Sequence, residues 1–248
     1  MVLCFVFAGL MQIAANLIND FVDFAKGTDR DDRLGPERAY ASGWITERVM
    51  KLGIGVVLVV AAVVGCLLLK YGNPFVLVGI GVACMAFAFL YTTLFSYVGL
   101  GDVLVVAFFG LVPVCGTYYV ETGVSTATVW LAALACGLLI DTLLVVNNYR
   151  DYETDLRYGK NTIITRIGLK QGDRLYLLLG IAAFVLAVVV LGFTPLLVLP
   201  ALYLPLHYKA WRMMQRLSGH ELNKVLGINS RNMLLFAVLL SVAIVLSC

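Results

Sequence analysis

Asn16-Leu17-Ile18-Asn19-Asp20-Phe21-Val22-Asp23 closes the first apolar run of this chain, and Asn147-Asn148-Tyr149-Arg150-Asp151-Tyr152-Glu153-Thr154-Asp155 closes a later one. At about 3.6 residues per helical turn, Asn16, Asp20 and Asp23 fall on one stripe, and so do Asn147, Asp151 and Asp155. Each tract then reaches a glycine, Gly27 in the first and Gly159, followed by Lys160, in the second. Each therefore sets carboxylates and a carboxamide where an apolar helix meets water. One such end reads as a solvated acidic terminus; the same pattern twice reads as a device, because carboxylates at membrane depth are costly and usually functional. Carboxylates are hard oxygen ligands of the kind Mg²⁺ takes, and Mg²⁺ in turn binds phosphate oxygens. Two tracts facing each other would hold a diphosphate between them through metal ions.

The composition sets the surroundings. Of 248 residues, 61% are hydrophobic and 13% charged, against roughly 25% charged in soluble domains. This is an integral membrane protein, and its apolar runs are too long and too many for a signal peptide. The net charge of +3 does not point to nucleic acid, because the basic residues sit in short stretches beside apolar spans. Cys4, Cys66, Cys84, Cys115, Cys136 and Cys248 all lie in or at the end of apolar segments with no Cys-x-x-Cys pair. They read as small apolar side chains and not as a disulfide or zinc framework.

A bilayer core of about 30 Å needs about 20 apolar residues in helix. On that basis the chain is expected to be all-α, a polytopic transmembrane bundle around a central cavity. Eight spans are predicted, near residues 2–23, 50–70, 74–94, 98–119, 127–148, 174–193, 195–210 and 231–248. Gly72-Asn73-Pro74, Glu121-Thr122-Gly123 and Gly192-Phe193-Thr194-Pro195 read as tight turns. The long polar connections 24–49, 149–173 and 211–230 then share one side. Of the 18 Lys and Arg residues only Lys70 falls on the other, which makes the basic side cytoplasmic. Both acidic tracts open there. The first span would then start outside, so an additional amino-terminal span is expected ahead of it, nine in all. The whole chain reads as a single domain with pseudo-repeat halves, about 1–120 and 121–248, and a shared site at their interface.

Asp20, Asp23, Asp151 and Asp155 are the candidate metal ligands and catalytic residues. Asn16, Asn19 and Asn147 support them, and Asp29 could add a carboxylate to the first metal. Arg33 and Arg38 carry guanidinium forks suited to diphosphate oxygens; Asp31, Asp32 and Glu37 read equally as hydrated loop. Arg150 either contacts phosphate or pairs with Asp155 or Glu153. Lys160 reads as a diphosphate clamp or a membrane-surface lysine. Thr162 is placed to cap the next helix, and Ser42-Gly43 to make a turn. Asp141, about 15 Å deeper than Asp151 along its helix, should face the bundle interior, to bind a hydroxyl, steer an aromatic substrate or fix packing. Asp102 reads as a helix amino-terminal charge or a site residue. Tyr91, ending the third span at the level of both tracts, could bond a phosphate or face a cation with its ring. His207 and His220 read as interfacial histidines.

These residues resemble a known family. Asn19-Asp20-x-x-Asp23 and Arg150-Asp151-x-x-x-Asp155 look like the two Asp-rich motifs of the UbiA superfamily of intramembrane prenyltransferases. Asp29-x-x-x-Arg33-x-Gly35-Pro36-x-Arg38, Ser42-Gly43-x-Ile45 and Asn147-Asn148-x-Arg150-Asp151-x-x-x-Asp155-x-x-x-Gly159-Lys160-x-Thr162 look like its 1,4-dihydroxy-2-naphthoate polyprenyltransferase branch. Phe108-Phe109-Gly110 and Gly116-Thr117-Tyr118-Tyr119 are similar to that branch too. The resemblance covers nearly the whole chain. It implies nine transmembrane helices, the first of them not in this sequence. It further implies two Mg²⁺ ions on Asp20, Asp23, Asp151 and Asp155, a polyprenyl diphosphate bound through them, and attack on the allylic carbon by dihydroxynaphthoate with loss of CO2, giving demethylmenaquinone in the inner membrane. Other aromatic acceptors would use the same metal site. A transporter for an anionic lipid or a metal would need polar groups through the full membrane depth, and Asp141 is the main charge off the basic face.

Overall fold

The computed structural model describes residues 1–26, 34–94 and 98–247, apart from the side chain of Thr92. Among these residues every regular element is a helix. Backbone N–H and C=O groups find no partner in lipid, so a spanning chain must satisfy them within the segment. Helix α1 spans Val2–Ala25, α2 Glu47–Leu68 and α3 Pro74–Thr93. Helix α4, Gly101–Val105, runs through a π-helical turn, Val106–Leu111, into α5, Val112–Thr122. Helix α6 covers Ala127–Arg150, followed by the short α7, Tyr152–Arg157, and α8, Ile163–Ile167. Then come α9, Leu169–Leu191, α10, Val198–Ala201, α11, Tyr203–Met214, and α12, Leu222–Ser247.

The starts are written in the sequence. Asn73 accepts from the N–H groups of Phe75 and Val76 at 3.0 and 3.4 Å, with Pro74 in the first turn of α3. Thr46, Thr126 and Thr162 cap α2, α6 and α8 in the same way. Each satisfies an N–H that has no partner inside the helix.

Seven helical stretches among the described residues are long and apolar enough to cross a bilayer, one fewer than expected. The segment 195–210 is helical but broken, into a 3₁₀ turn at Pro195–Leu197, α10 and α11. Pro205 has no N–H to give the carbonyl of Ala201, and the α-helix stops there. The last span also starts earlier than expected. Leu222, Val225 and Asn229 are buried, so residues 222–230 are helix and not loop. Similarly, α9 begins at Leu169, and the connection after α6 holds α7 and α8.

The chain divides into two compact units, Met1–Val98 with Gly116–Val124, and Gly99–Cys115 with Ser125–Cys248. In the first, α1 packs on α2 and α3 around Ile18, Met50, Ile54 and Ala88. In the second, α6 is the hub, touching α9, α12 and the π-helical turn. Its core is rich in small residues, Ala135, Ala183, Ala187 and Ala243 beside Tyr203 and Phe236. Lipid is as apolar as leucine, so helices associate here by close packing and polar contacts and not by hiding apolar area. Outward faces keep large apolar groups, Phe75 at 89% exposure among them.

His207 is not interfacial. It is 1% exposed, its ring stacked 4.6 Å from Tyr176 and 5.1 Å from Tyr203. Its Nδ1 lies 2.8 Å from the Tyr203 hydroxyl. His220 is exposed.

Candidate functional site

The first acidic tract forms the end of α1. Asp20 is buried and Asp23 partly so, one turn apart, while Asn16 is exposed and accepts from Gln12 at 3.4 Å. Residues 34–46 fold back over this end. Tyr40 puts its ring 5.5 Å from Phe21 and 4.9 Å from Phe24, and its backbone N–H donates to Asp20 Oδ2 at 3.3 Å. Arg38 Nη1 donates to Asp23 Oδ2 at 3.1 Å, with only 17% and 13% of the two side chains exposed. The other Asp20 oxygen, Oδ1, is buried and has no hydrogen-bond partner among the described residues. A buried acceptor in that state is costly unless something is meant to fill it. Asn19 is half-buried beside it in sequence. On α3, Tyr91 is half-buried with its ring 5.3 Å from Phe87.

The second tract is built differently from the expected single stripe. Helix α6 stops at Arg150, and Asp151 caps it at φ −91°, ψ 9° before α7 begins. Asn147, Asp151 and Asp155 therefore do not share one continuous helix. Asn147 still gives its carbonyl to the Asp151 N–H at 3.0 Å. Arg150 pairs with its neighbour Asp151, Nε and Nη2 donating to the two carboxylate oxygens at 2.8 and 2.7 Å, and not with Asp155 or Glu153. The Arg150 side chain is 3% exposed and that of Asp151 25%. Asp155 is buried, one turn on, with Lys160 Nζ 3.9 Å from its Oδ1.

Two glycine turns of one kind lie near the tracts, one in the loop that folds over α1 and one directly behind Asp155; α1 itself ends at Lys26 in right-handed conformation, and Gly27, the glycine expected there, lies outside the described residues. Gly43 at φ +71° gives its N–H to Tyr40 O at 3.0 Å, and Trp44 gives its own to Ala39 O at 2.9 Å. Gly159 at φ +69° bonds Leu156 O at 3.3 Å, and Lys160 bonds Asp155 O at 2.8 Å. This paired bonding around a left-handed residue is a Schellman turn, which selects glycine because a Cβ is strained there. In the second tract the turn sets Lys160 beside Asp155.

Asp20 and Asp23 belong to the first unit, and Asp151, Asp155 and Lys160 to the second. Arg33 and Asp29 lie outside the described residues, as do Asp31 and Asp32. Among the described residues no group of three or more His, Cys, Asp or Glu side chains gathers into a metal cage. Each unit instead offers two carboxylates one turn apart, an incomplete set of hard oxygen donors that fits Mg²⁺, which keeps waters and takes phosphate oxygens for its other positions.

Two residues escaped the sequence reading. Asn223, at the start of α12, accepts from Arg150 Nη1 at 2.7 Å. Asn229 accepts from the Tyr176 hydroxyl at 3.0 Å and donates to Thr142 Oγ1 at 2.7 Å, entirely buried. Nothing in the local sequence marks an asparagine in an apolar helix as a partner for a residue 73 or 87 positions away. Asp141 is buried, as expected for an interior group, at 4% exposure; Asp102, in the first turn of α4, is buried as well, at 7%.

A model of the UbiA prenyltransferase family matches residues 1–236. The chain is 36% identical over 193 residues to a 1,4-dihydroxy-2-naphthoate octaprenyltransferase of Haemophilus influenzae, covering 74% of this chain. It spans 62% of the length of that relative. A 1,4-dihydroxy-2-naphthoate octaprenyltransferase of Mycobacterium leprae is 33% identical over 249 residues, 99% of this chain and 84% of that protein. Among solved structures, a UbiA homolog from Archaeoglobus fulgidus bound to DMAPP and Mg2+ superposes with a TM-score of 0.64 at 17% identity, over 98% of this chain and 87% of the other. At that identity the likeness concerns the fold.

Proposed function

The chain belongs to the UbiA prenyltransferase family, and we propose that it transfers a polyprenyl group from polyprenyl diphosphate to 1,4-dihydroxy-2-naphthoate with loss of CO2 and diphosphate. The observation that carries this reading is the repeated helix end: two aspartates a turn apart, with a guanidinium on one of them. The acceptor is taken from the relatives' activity.

Asp20, Asp23, Asp151 and Asp155 would hold Mg²⁺; the buried Asp20 Oδ1, without a partner among the described residues, and the carboxylate chemistry of all four suit that ion. When bound, the metal neutralises diphosphate oxygens and so favours their departure. Lys160, on a backbone fixed by the turn at Gly159, adds a cation for the leaving group. Arg38 and Arg33 add guanidinium donors from the other tract. The allylic C–O bond breaks with its electron pair leaving on diphosphate. A ring carbon of the dihydroxynaphthoate forms the new C–C bond, and the ring carboxylate departs as CO2, its electrons restoring the aromatic ring. The product is the quinol form of demethylmenaquinone. Tyr91 offers a ring face to developing positive charge. A membrane setting suits the reaction, because the prenyl donor and the product are both lipids. The Lys and Arg distribution supports an inner-membrane protein whose site opens to the cytoplasm.

The test is a transfer assay on the purified chain with labelled polyprenyl diphosphate, Mg²⁺ and, in parallel, 1,4-dihydroxy-2-naphthoate, 4-hydroxybenzoate and homogentisate. Prenylated naphthoquinol with release of CO2, abolished by EDTA and restored by Mg²⁺, is the expected result. Transfer to another ring alone would move the acceptor assignment, and no transfer to any ring would overturn the reading.

A further inference from the structure

Arg150 is buried, yet it touches an aspartate of its tract that stays a quarter open, Asp151. Neighbouring residues on a continuous helix do not face each other. Here α6 ends between them, and the change of direction at Asp151 lets the fork close on both carboxylate oxygens. The Asp151 backbone is fixed as well: its carbonyl accepts from the Asp155 N–H and from Thr154 Oγ1, both at 2.7 Å. The remaining freedom is the rotation of the Arg150 guanidinium, and Asn223 stops it by accepting from Nη1 at 2.7 Å. Asn223 sits on a rigid element, since its neighbour Leu222 is buried in the core with Val145, Val146 and Tyr176. Arg150 uses one lone pair on each Asp151 oxygen, and an ionised carboxylate has about four acceptor sites, so the outward ones stay available.

We infer that Asn223 is a positioning residue: acting through Arg150, it sets the direction in which Asp151 presents its carboxylate to a divalent cation. The inference rests on the metal-dependent reading of the acidic tracts and adds to it a partner from α12. Groups that orient a metal ligand typically alter affinity by about 10–100-fold when removed. An acceptor oxygen is required and not bulk, so aspartate, which keeps one at the same reach, should substitute where alanine does not.

The experiment is Mn²⁺ binding to the full chain in detergent, read from the electron paramagnetic resonance signal of free Mn²⁺, with helical content and thermal midpoint followed by circular dichroism. Asn223→Ala should weaken Mn²⁺ binding by about tenfold while keeping the helical signal, and Asn223→Asp should bind close to the parent. In an Asp151→Asn background, Asn223→Ala should have no further effect, because the ligand it orients is gone. Parent-like binding by Asn223→Ala, or an additive loss in the Asp151→Asn background, would overturn the inference. Should Asn223→Ala fail to fold, Arg150→Lys, which keeps the charge and loses the fork, must show the same loss for the inference to stand. If these effects appear but no ring is prenylated, the proposed reaction fails and the positioning role remains.

Discussion

A Cβ built on Gly110 would lie 2.3 Å from the Cα of Gly137. The π-helical turn and α6 thus meet backbone to backbone, and the approach recurs one turn away, where a Cβ on Gly137 would lie 2.9 Å from the carbonyl oxygen of Val106. The pair runs antiparallel, and one further turn along brings Asp102 level with Asp141. Each of these two carboxylates keeps a buried oxygen without a hydrogen-bond partner among the described residues.

Replacing Gly110 by alanine should therefore destabilise the second unit. Alanine in a helix gains roughly 0.5–1 kcal/mol over glycine, but overpacking against a backbone that cannot move aside costs about 1–3 kcal/mol or more. The clash wins. A lower thermal midpoint in detergent for Gly110→Ala and Gly137→Ala is expected, with Gly116→Ala, where a Cβ meets nothing within 4 Å, as the control. Equal midpoints for all three would contradict the close approach.

Asp20→Asn and Asp155→Asn should each lower prenyl transfer by about two orders of magnitude, or ~3 kcal/mol in the transition state. The substitutions keep shape and remove the charge that a cation needs. Rates at saturating Mg²⁺ distinguish a lost ligand from a weakened one. Activity near the parent level in both variants would remove these residues from the metal site.

Arg38→Gln should raise KM for the prenyl diphosphate by about tenfold, since a hydrogen bond to a charged group contributes about 1.5–3 kcal/mol. It should also loosen residues 34–46, because the ion pair that Arg38 makes with Asp23 across the fold-back is removed. Steady-state kinetics reads the first effect and limited proteolysis the second. An unchanged KM with faster cleavage would make Arg38 a structural pair only.

His207→Leu should cost stability and leave catalysis alone. It takes the ring nitrogen from the buried Tyr203 hydroxyl, and an unsatisfied buried donor costs about 1–3 kcal/mol. The expected outcome is a lower thermal midpoint with transfer per folded molecule unchanged. A large loss of specific activity at a preserved midpoint would mean that the ring belongs to the reaction.

How far the chain could be read in advance depends on what each feature needs. Polytopic helices follow from apolar runs of bilayer length, and the turn at Gly72-Asn73-Pro74 and the cap at Thr162 follow from local chemistry, so these were legible. Asp20, Asp23, Asp151, Asp155 and Gly159 stood out because their spacing is local and repeated. The helix break at Asp151 was not legible, since Arg150-Asp151 reads as well in the middle of a helix as at its end. The burial of His207 was not legible either, because a polar ring near a span end is as compatible with the membrane interface as with a stack between two tyrosines.

The sequence alone determined the membrane setting, the helical class and the acidic ends of two helices, because hydropathy, helical period and turn chemistry act between near neighbours in the chain. The tertiary structure alone decided which oxygen of Asp20 is left open, that Arg150 grips Asp151, and that Asn223 and Asn229 reach into α6 from α12. Those contacts join residues far apart in the chain, and their strength comes from burial and direction, which exist only once the helices are packed.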